Sequence, residues 1–181
     1  EREKNNPVNI LGEIYGVGPK KAKELVESGI INIAQLRSRA DEFLNDTQKV
    51  GLKYYEDILQ RIPRSEIDEY NVIFKKIFIK SVDNESNYEI VGSYRRGAQN
   101  SGDIDVIITS KNGVVFKEFI DNLIKKGIIL EVLSRGSSKC LVIAKIPSSS
   151  FARRVDFLYT SPEEYPFSVL YFTGSKVFNT V

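Results

Sequence analysis

The chain has 181 residues, 41% apolar and 28% charged, with a net charge of +2, which suits one domain or two small ones around a real core. No apolar run approaches the ~18 residues of a membrane span, and the opening EREKNNPVNI is not a signal peptide. Cys140 is the only cysteine and there is no His, which excludes an internal disulfide and His-based acid–base chemistry and argues against zinc; any metal would be a hard cation on carboxylates.

Residues up to about Pro63 read as helical. KKAKELVESG carries Ala22, Leu25 and Val26 at helical spacing and stops at Gly29. IAQLRSRADEFL and TQKVGLKYYEDILQRI follow as further helices, with Thr47 as an N-cap. Pro63 breaks the pattern, and Ser65 caps a helix over EIDEYNVIFKKIFIKS whose Ile67, Tyr70, Ile73, Phe74 and Ile77 share one face. From Tyr88 the texture becomes β-rich: YEIVG, DIDVIIT, IILEVLS, KCLVIAKI and RRVDFLYT, bounded by Gly, Ser or Pro. An amphipathic helix, FKEFIDNLIKKG, interrupts these strands, and PEEYPFSVLYF closes the series. The expected fold is α+β, a small all-helical unit followed by a sheet unit, joined near residues 63–66.

Near-neutral charge means that a nucleic-acid partner has to be argued from local patches. The densest is GSYRRGAQNSGDIDVII, Gly92 to Ile108. In a strand, residues i and i+2 lie on one face roughly 7 Å apart, so Asp103 and Asp105 project together and repel unless a divalent cation sits between them. A lone D-x-D is equally the mark of an exposed strand end. Asp156, inside the later strand RRVDF, supplies a third carboxylate in an apolar setting. Three such groups on neighbouring strands can hold two Mg²⁺ about 3.5–4 Å apart, the arrangement that clamps both oxygens in phosphoryl transfer.

Just upstream, Gly92-Ser93 and Ser101-Gly102 form two small-residue corners with exposed N–H groups, and Arg95 or Arg96 offers a bidentate clamp for phosphate. Each alone is also an ordinary tight turn. Near the N-terminus, IYGVGPKKAKEL has two glycines, Gly16 and Gly18, in a hairpin between helices, with Pro19 at the first helical position. Such a hairpin aims backbone N–H groups at one DNA phosphate, and Lys20, Lys21 and Lys23 add attraction without sequence information. A bare G-x-G is more often only a turn.

Taken together, GVGPKKA, GLKYYEDILQRIPR, GSYRRGAQNSGDIDVII, RRVDF and YFTGS, in that order, resemble the family X DNA polymerases, most closely the polymerase β branch. The resemblance implies a helical helix-hairpin-helix DNA-binding subdomain over residues 1–64. It implies a palm of nucleotidyltransferase fold with a mixed β-sheet over 65–170, and the start of a nucleotide-base-binding subdomain over 171–181. It implies that Asp103 and Asp105 ligate two Mg²⁺ (Mn²⁺ substituting), and that Asp156 binds the catalytic one and takes or relays the proton of the primer 3′-hydroxyl. Gly92, Ser93, Arg96, Ser101 and Gly102 would cradle the triphosphate, with Arg61 as helper, while Tyr171, Phe172, Gly174 and Asn179 would meet the rest of the nucleotide. Gly12, Ile14 and Val17 carbonyls would hold Na⁺ or K⁺ beside the DNA backbone. Arg154 would sit by the primer end, and Arg135, Ser138 and Lys139 would touch template phosphates.

The implied activity is template-directed, gap-filling DNA synthesis in base excision repair, by a monomer acting on gapped or primer-template DNA and a deoxynucleoside triphosphate, with no membrane. The implied location is intracellular: the nucleus for a eukaryotic cell, the host cell or virion for a virus. Lys176 stands where polymerase β usually has Asp, which bears on one contact to the incoming base. With no Met even at position 1, no lyase domain ahead of the hairpin and a stop at Val181, the chain reads as a two-subdomain core of a larger enzyme. The alternatives are template-independent terminal transfer, another nucleotidyltransferase such as a poly(A) polymerase, and a DNA-binding module without catalysis. The hairpin and YFTGS weigh against the poly(A) polymerase, and the three aspartates against the pure binder.

Overall fold

The computed structural model describes residues 6–79 and 85–174. By its contacts the chain divides into two compact units, Glu1–Asp57 and Ile58–Val181. In the first, short helices follow one another: α1 (Pro7–Gly12), α2 (Pro19–Glu27), α3 (Ile33–Ser38), α4 (Ala40–Phe43), α5 (Asp46–Lys53) and the start of α6 (Tyr55–Leu59). Side chains cap three of their N-termini. Asn6 accepts from Val8 N, Asn32 from Gln35 N, and Asn45 with Gln48 makes a reciprocal capping box. The expected cap at Thr47 is therefore displaced to Asn45, because only Asn45 has a Gln three residues on to return the bond. The expected single helix after it divides at Tyr54, whose backbone leaves the helical region (φ −103°, ψ 18°). Leu11, Ile14, Val17, Ala22, Leu25, Ile30, Leu36, Leu44 and Leu52 bury themselves together as this unit's core.

The second unit runs β1 (Ile62–Pro63), α7 (Arg64–Ile79), β2 (Asn87–Ile90), α8 (Gly92–Arg95), β3 (Asn100–Ser101), β4 (Ile104–Thr109), α9 (Val114–Lys125), β5 (Ile129–Arg135), β6 (Lys139–Ala144), β7 (Arg153–Thr160) and α10 (Tyr165–Gly174). Helix α7 starts directly at Arg64, whose amide donates to the Gln99 carbonyl at 2.9 Å, so Ser65 lies inside the first turn and not at the cap.

Five strands form a mixed sheet of order β2-β4-β7-β6-β5, in which only β4 and β7 run parallel. Strand alternation divides the sheet into two faces. On one, Val106, Ile108, Val155 and Phe157 pack with Ile67, Tyr70, Phe74 and Ile77 of α7 and Phe116, Phe119 and Leu123 of α9. Phe74, Phe119 and Phe157 meet edge to face there, with ring centroids 5.7–5.9 Å apart. On the other face, Ile107 packs with Val91 and Val169, the latter on α10. Among the described residues no helix is long and apolar enough to cross a membrane.

One glycine is fixed by close approach. A Cβ at Gly51, on α5, would sit 2.2 Å from the Tyr15 carbonyl oxygen. Gly51→Ala should therefore destabilise the helical unit by about 1–3 kcal/mol, as overpacking does, despite the better helix propensity of alanine. Urea unfolding of the variant checks this, and unchanged stability would show that α5 can move away from Tyr15 freely.

Candidate active site

The two parallel strands bring the aspartates together. Asp105 on β4 is the register partner of Asp156 on β7, and Asp103 lies one residue ahead of β4. One carboxylate oxygen from each of Asp103, Asp105 and Asp156 lies within 4.8 Å of the others. Asp105 and Asp156 are each 5% exposed, so water does little to screen them. Burial, and then the carboxylates of Asp103 and Asp156, push the Asp105 carboxyl well above the usual carboxylate range, with Arg154 pulling the other way. Burial also pushes the Asp156 carboxyl up, opposed chiefly by Arg154. Asp105 Oδ1 has no hydrogen-bond partner.

Arg154 answers part of this charge. Its Nη2 donates to Asp156 Oδ1 at 2.5 Å and its Nη1 to the Val142 carbonyl at 2.6 Å, both from a buried position. Gly92 packs closely against Asp105. Its φ is +65°, and a Cβ there would lie 2.8 Å from Asp105 Oδ2, so glycine is required both by backbone conformation and by approach to the carboxylate.

The two small-residue corners face each other, since Ser93 Oγ donates to Ser101 Oγ at 2.6 Å. Arg61 stands beside them within the same unit: its Nε donates to Asn100 Oδ1 at 2.8 Å, and its Nη1 lies 3.2 Å from where a Gly102 Cβ would be. Arg96 is directed elsewhere, donating from Nη1 to the Thr173 carbonyl at 2.6 Å, and Arg95 reaches Glu89 and Thr173 Oγ1. On α10, Tyr171 and Phe172 form an edge-to-face pair 4.9 Å apart, with Tyr171 55% exposed, and Gly174 ends the helix. Asn179 and Lys176 lie outside the described residues. Arg135, at the β5–β6 turn, is ion-paired to Asp121 of α9 at 2.7 Å, while Ser138 and Lys139 lead into β6, where Lys139 is the register partner of Leu158.

In the helical unit, Gly12 ends α1 and the Ile14 carbonyl accepts from Val17 N at 2.9 Å. Gly16 has φ +86° and its carbonyl accepts from Gln48 Nε2, whereas Gly18 has open space around its Cα. Lys20 and Lys23 are exposed and Lys21 half-buried along α2.

Comparison with known proteins bears on what this arrangement is. The DNA polymerase beta palm model matches residues 61–162, and that of the fingers domain of DNA polymerase lambda matches residues 9–59. The chain belongs to the family X DNA polymerases. Its relatives include DNA polymerase lambda of Arabidopsis thaliana, 30% identical over 98% of this chain and 36% of its own length. DNA polymerase lambda of Rattus norvegicus is 29% identical over 95% of this chain and 31% of its own. DNA nucleotidylexotransferase of Xenopus laevis is 26% identical over 91% and 40%. The chain thus spans 31–40% of the length of these curated relatives.

In a family X chain the acidic cluster fits a divalent cation on its own chemistry. Three hard oxygen donors converge, two are buried, and one oxygen, Asp105 Oδ1, has no protein partner. Residues overlooked in the sequence are Asn100, which orients Arg61 from a two-residue strand, and Arg64, which lies over the Tyr94 ring at 4.2 Å and donates to the Tyr94 carbonyl. No local pattern marks either, because both act through contacts far apart in the chain.

The raised Asp105 carboxyl sets a pH dependence. A carboxyl that holds its proton more tightly folded than unfolded stabilises the fold at acid pH, and that contribution is lost as pH rises. Without metal, stability should fall as pH climbs above the ordinary carboxylate range of about 4. Asp105→Asn should flatten this slope and melt higher than wild type in mildly alkaline solution, while Mg²⁺ should raise the melting temperature of wild type only. Thermal melts across pH check this; an Asn variant less stable than wild type in alkaline, metal-free buffer would contradict it.

Proposed function

We propose that this chain forms the DNA-binding and catalytic core of a template-directed DNA polymerase that adds deoxynucleotides to a primer 3′-hydroxyl and fills gaps in base excision repair. The observation that carries this reading is the convergence of half-buried Asp103 with buried Asp105 and Asp156 beside the Ser93–Ser101 corner, in a chain of this family. Asp103 and Asp105 would hold two Mg²⁺, or Mn²⁺ in their place, and Asp156 would share one of them. Such ions neutralise triphosphate charge and make a 3′-hydroxyl easier to deprotonate.

The remaining work falls to the chain's own groups. Gly92, Ser93, Ser101 and Gly102 give the triphosphate a corner without bulk, and Arg61 supplies guanidinium charge to it, joined by Arg96 once its bond to the Thr173 carbonyl is released. Asp156 takes or relays the primer proton, a task that no histidine is present to perform. Arg154 keeps that carboxylate oriented from the primer side. Tyr171, Phe172, Gly174 and Asn179 would meet the sugar and base, where bulk rejects a 2′-hydroxyl. Arg135, Ser138 and Lys139 would contact template phosphates, and the engagement of Arg135 by Asp121 means that DNA has to compete for it.

The hairpin at Gly16 and Gly18, with Lys20 and Lys21 behind it, would grip a primer-strand phosphate. Na⁺ or K⁺ on the carbonyls of Gly12, Ile14 and Val17 would bridge to the backbone. The Ile14 carbonyl retains a second lone pair for such an ion after accepting from Val17. The enzyme would work inside the cell as a monomer. Likeness to a DNA nucleotidylexotransferase supports a second reading, template-independent addition.

Primer extension by the intact enzyme with Mg²⁺, with and without a template strand, tests the proposal. Extension only on template supports it, extension without template favours the second reading, and none at all refutes both. Asp156→Asn should slow the single-turnover chemical step by about a hundredfold or more while nucleotide still binds through Asp103 and Asp105. A wild-type rate with lowered thermal stability would make Asp156 a strut for Arg154 instead. Gly18→Val, at a position with room for the side chain, should fold normally and weaken binding to DNA of any sequence. A folded variant that binds as wild type does would reduce the hairpin to a turn.

A further inference from the structure

Two consecutive arginines open β7, and strand alternation sends them to opposite faces of the sheet. Arg154 turns to Asp156. Arg153, only 3% exposed, turns to the core side, where its guanidinium is fully engaged. Nε and Nη2 make a bidentate pair with Glu66 at 2.6 and 2.9 Å, and Nη1 donates to two successive carbonyls, those of Gln60 and Arg61, each at 3.2 Å. Glu66 also accepts from Ser149 Oγ at 2.9 Å, and the Phe151 ring covers the guanidinium at 5.2 Å.

A buried ion pair of this kind is a poor stabiliser. Desolvation of both charges consumes most of their attraction, and apolar replacements of similar size are often as stable. What an apolar pair cannot do is hold two backbone carbonyls. The carbonyls held here belong to the residues that begin the crossing into β1. Ile62 and Pro63 then pair with Ser101 and Asn100, and the Arg61 side chain reaches Asn100 Oδ1 and the carbonyl of Asn100. Its Nη1 lies over Gly102, next to Asp103.

We propose that Arg153 is a positioning residue for nucleotide binding: through the Gln60 and Arg61 carbonyls it sets the Arg61 guanidinium at the triphosphate corner. Arg153 touches neither substrate nor metal. The inference rests on the reading of Gly92, Ser93, Ser101 and Gly102 as that corner. It accounts for a buried charge, paired across the start of α7, whose contribution is geometric.

The test is a set of single-turnover extensions by the intact enzyme against nucleotide concentration, for wild type, Arg153→Met, Arg61→Met, the double Arg61→Met/Arg153→Met, and Glu66→Leu/Arg153→Met. Arg153→Met should weaken apparent nucleotide affinity about tenfold, as loss of one charge-assisted hydrogen bond does, with the maximal rate and DNA affinity held within about twofold. In the Arg61→Met background it should weaken affinity no further, because both changes remove the same contact. Glu66→Leu/Arg153→Met should recover the melting temperature yet keep the weakened nucleotide affinity, and it serves as the reading if Arg153→Met alone fails to fold. Nucleotide affinity that recovers together with stability, or losses that add in the Arg61 background, would overturn the assignment. A wild-type enzyme that extends no primer would instead remove the polymerase reading beneath it.

Discussion

The repulsion among three carboxylates organises the sheet unit. Parallel pairing of β4 with β7 sets Asp105 opposite Asp156, and the entry to β4 adds Asp103. Such crowding in a poorly solvated place is unfavourable, and it can be relieved by a proton, by a guanidinium or by a cation. Arg154 relieves it at Asp156. At Asp105 the pull of Arg154 does not offset burial and the neighbouring carboxylates, so the carboxyl holds its proton more tightly than usual, and one of its oxygens has no hydrogen bond. A hard divalent cation would replace that proton with two charges. Metal binding and folding stability are thus linked at one site.

Holding these charges together demands a stiff support. The face of β4 and β7 away from the aspartates is aliphatic and aromatic, with Phe157 locked between Phe74 and Phe119. Because alternate residues point to opposite faces, the two aspartates within strands are flanked by core residues: Ile104 and Val106 about Asp105, Val155 and Phe157 about Asp156. The same alternation divides Arg153 from Arg154. One arginine serves the carboxylate and its neighbour grips the backbone that carries Arg61. Gly92 completes the enclosure, since any side chain there would collide with Asp105.

Much of this was legible in the sequence, and the limits have physical causes. The apolar stripe of α7, the five strands of the main sheet and the spacing of Asp103 and Asp105 are local patterns and were readable as such. Asp156 stood out because a carboxylate inside an apolar strand needs a reason. Its register with Asp105 was not readable, since parallel pairing joins residues far apart in the chain. The cap of α5 moved from Thr47 to Asn45 because a reciprocal bond with Gln48 outweighs the preference of one residue type. Arg61 was expected to reach over from the helical subdomain, yet it belongs to the sheet unit through a two-residue strand too short to leave a pattern. Arg153 and Glu66 gave no signal, because a buried pair has the composition of two surface charges until the fold is known.

Crystals of the protein grown with Mn²⁺ and an unreactive deoxynucleoside triphosphate analogue would test the central claim most directly, through the anomalous signal of the metal. The account predicts Mn²⁺ bound by Asp103, Asp105 and Asp156, with the triphosphate on the Ser93–Ser101 corner and Arg61 against it. Mn²⁺ bound elsewhere with the three carboxylates left metal-free, or a triphosphate seated away from that corner, would contradict it.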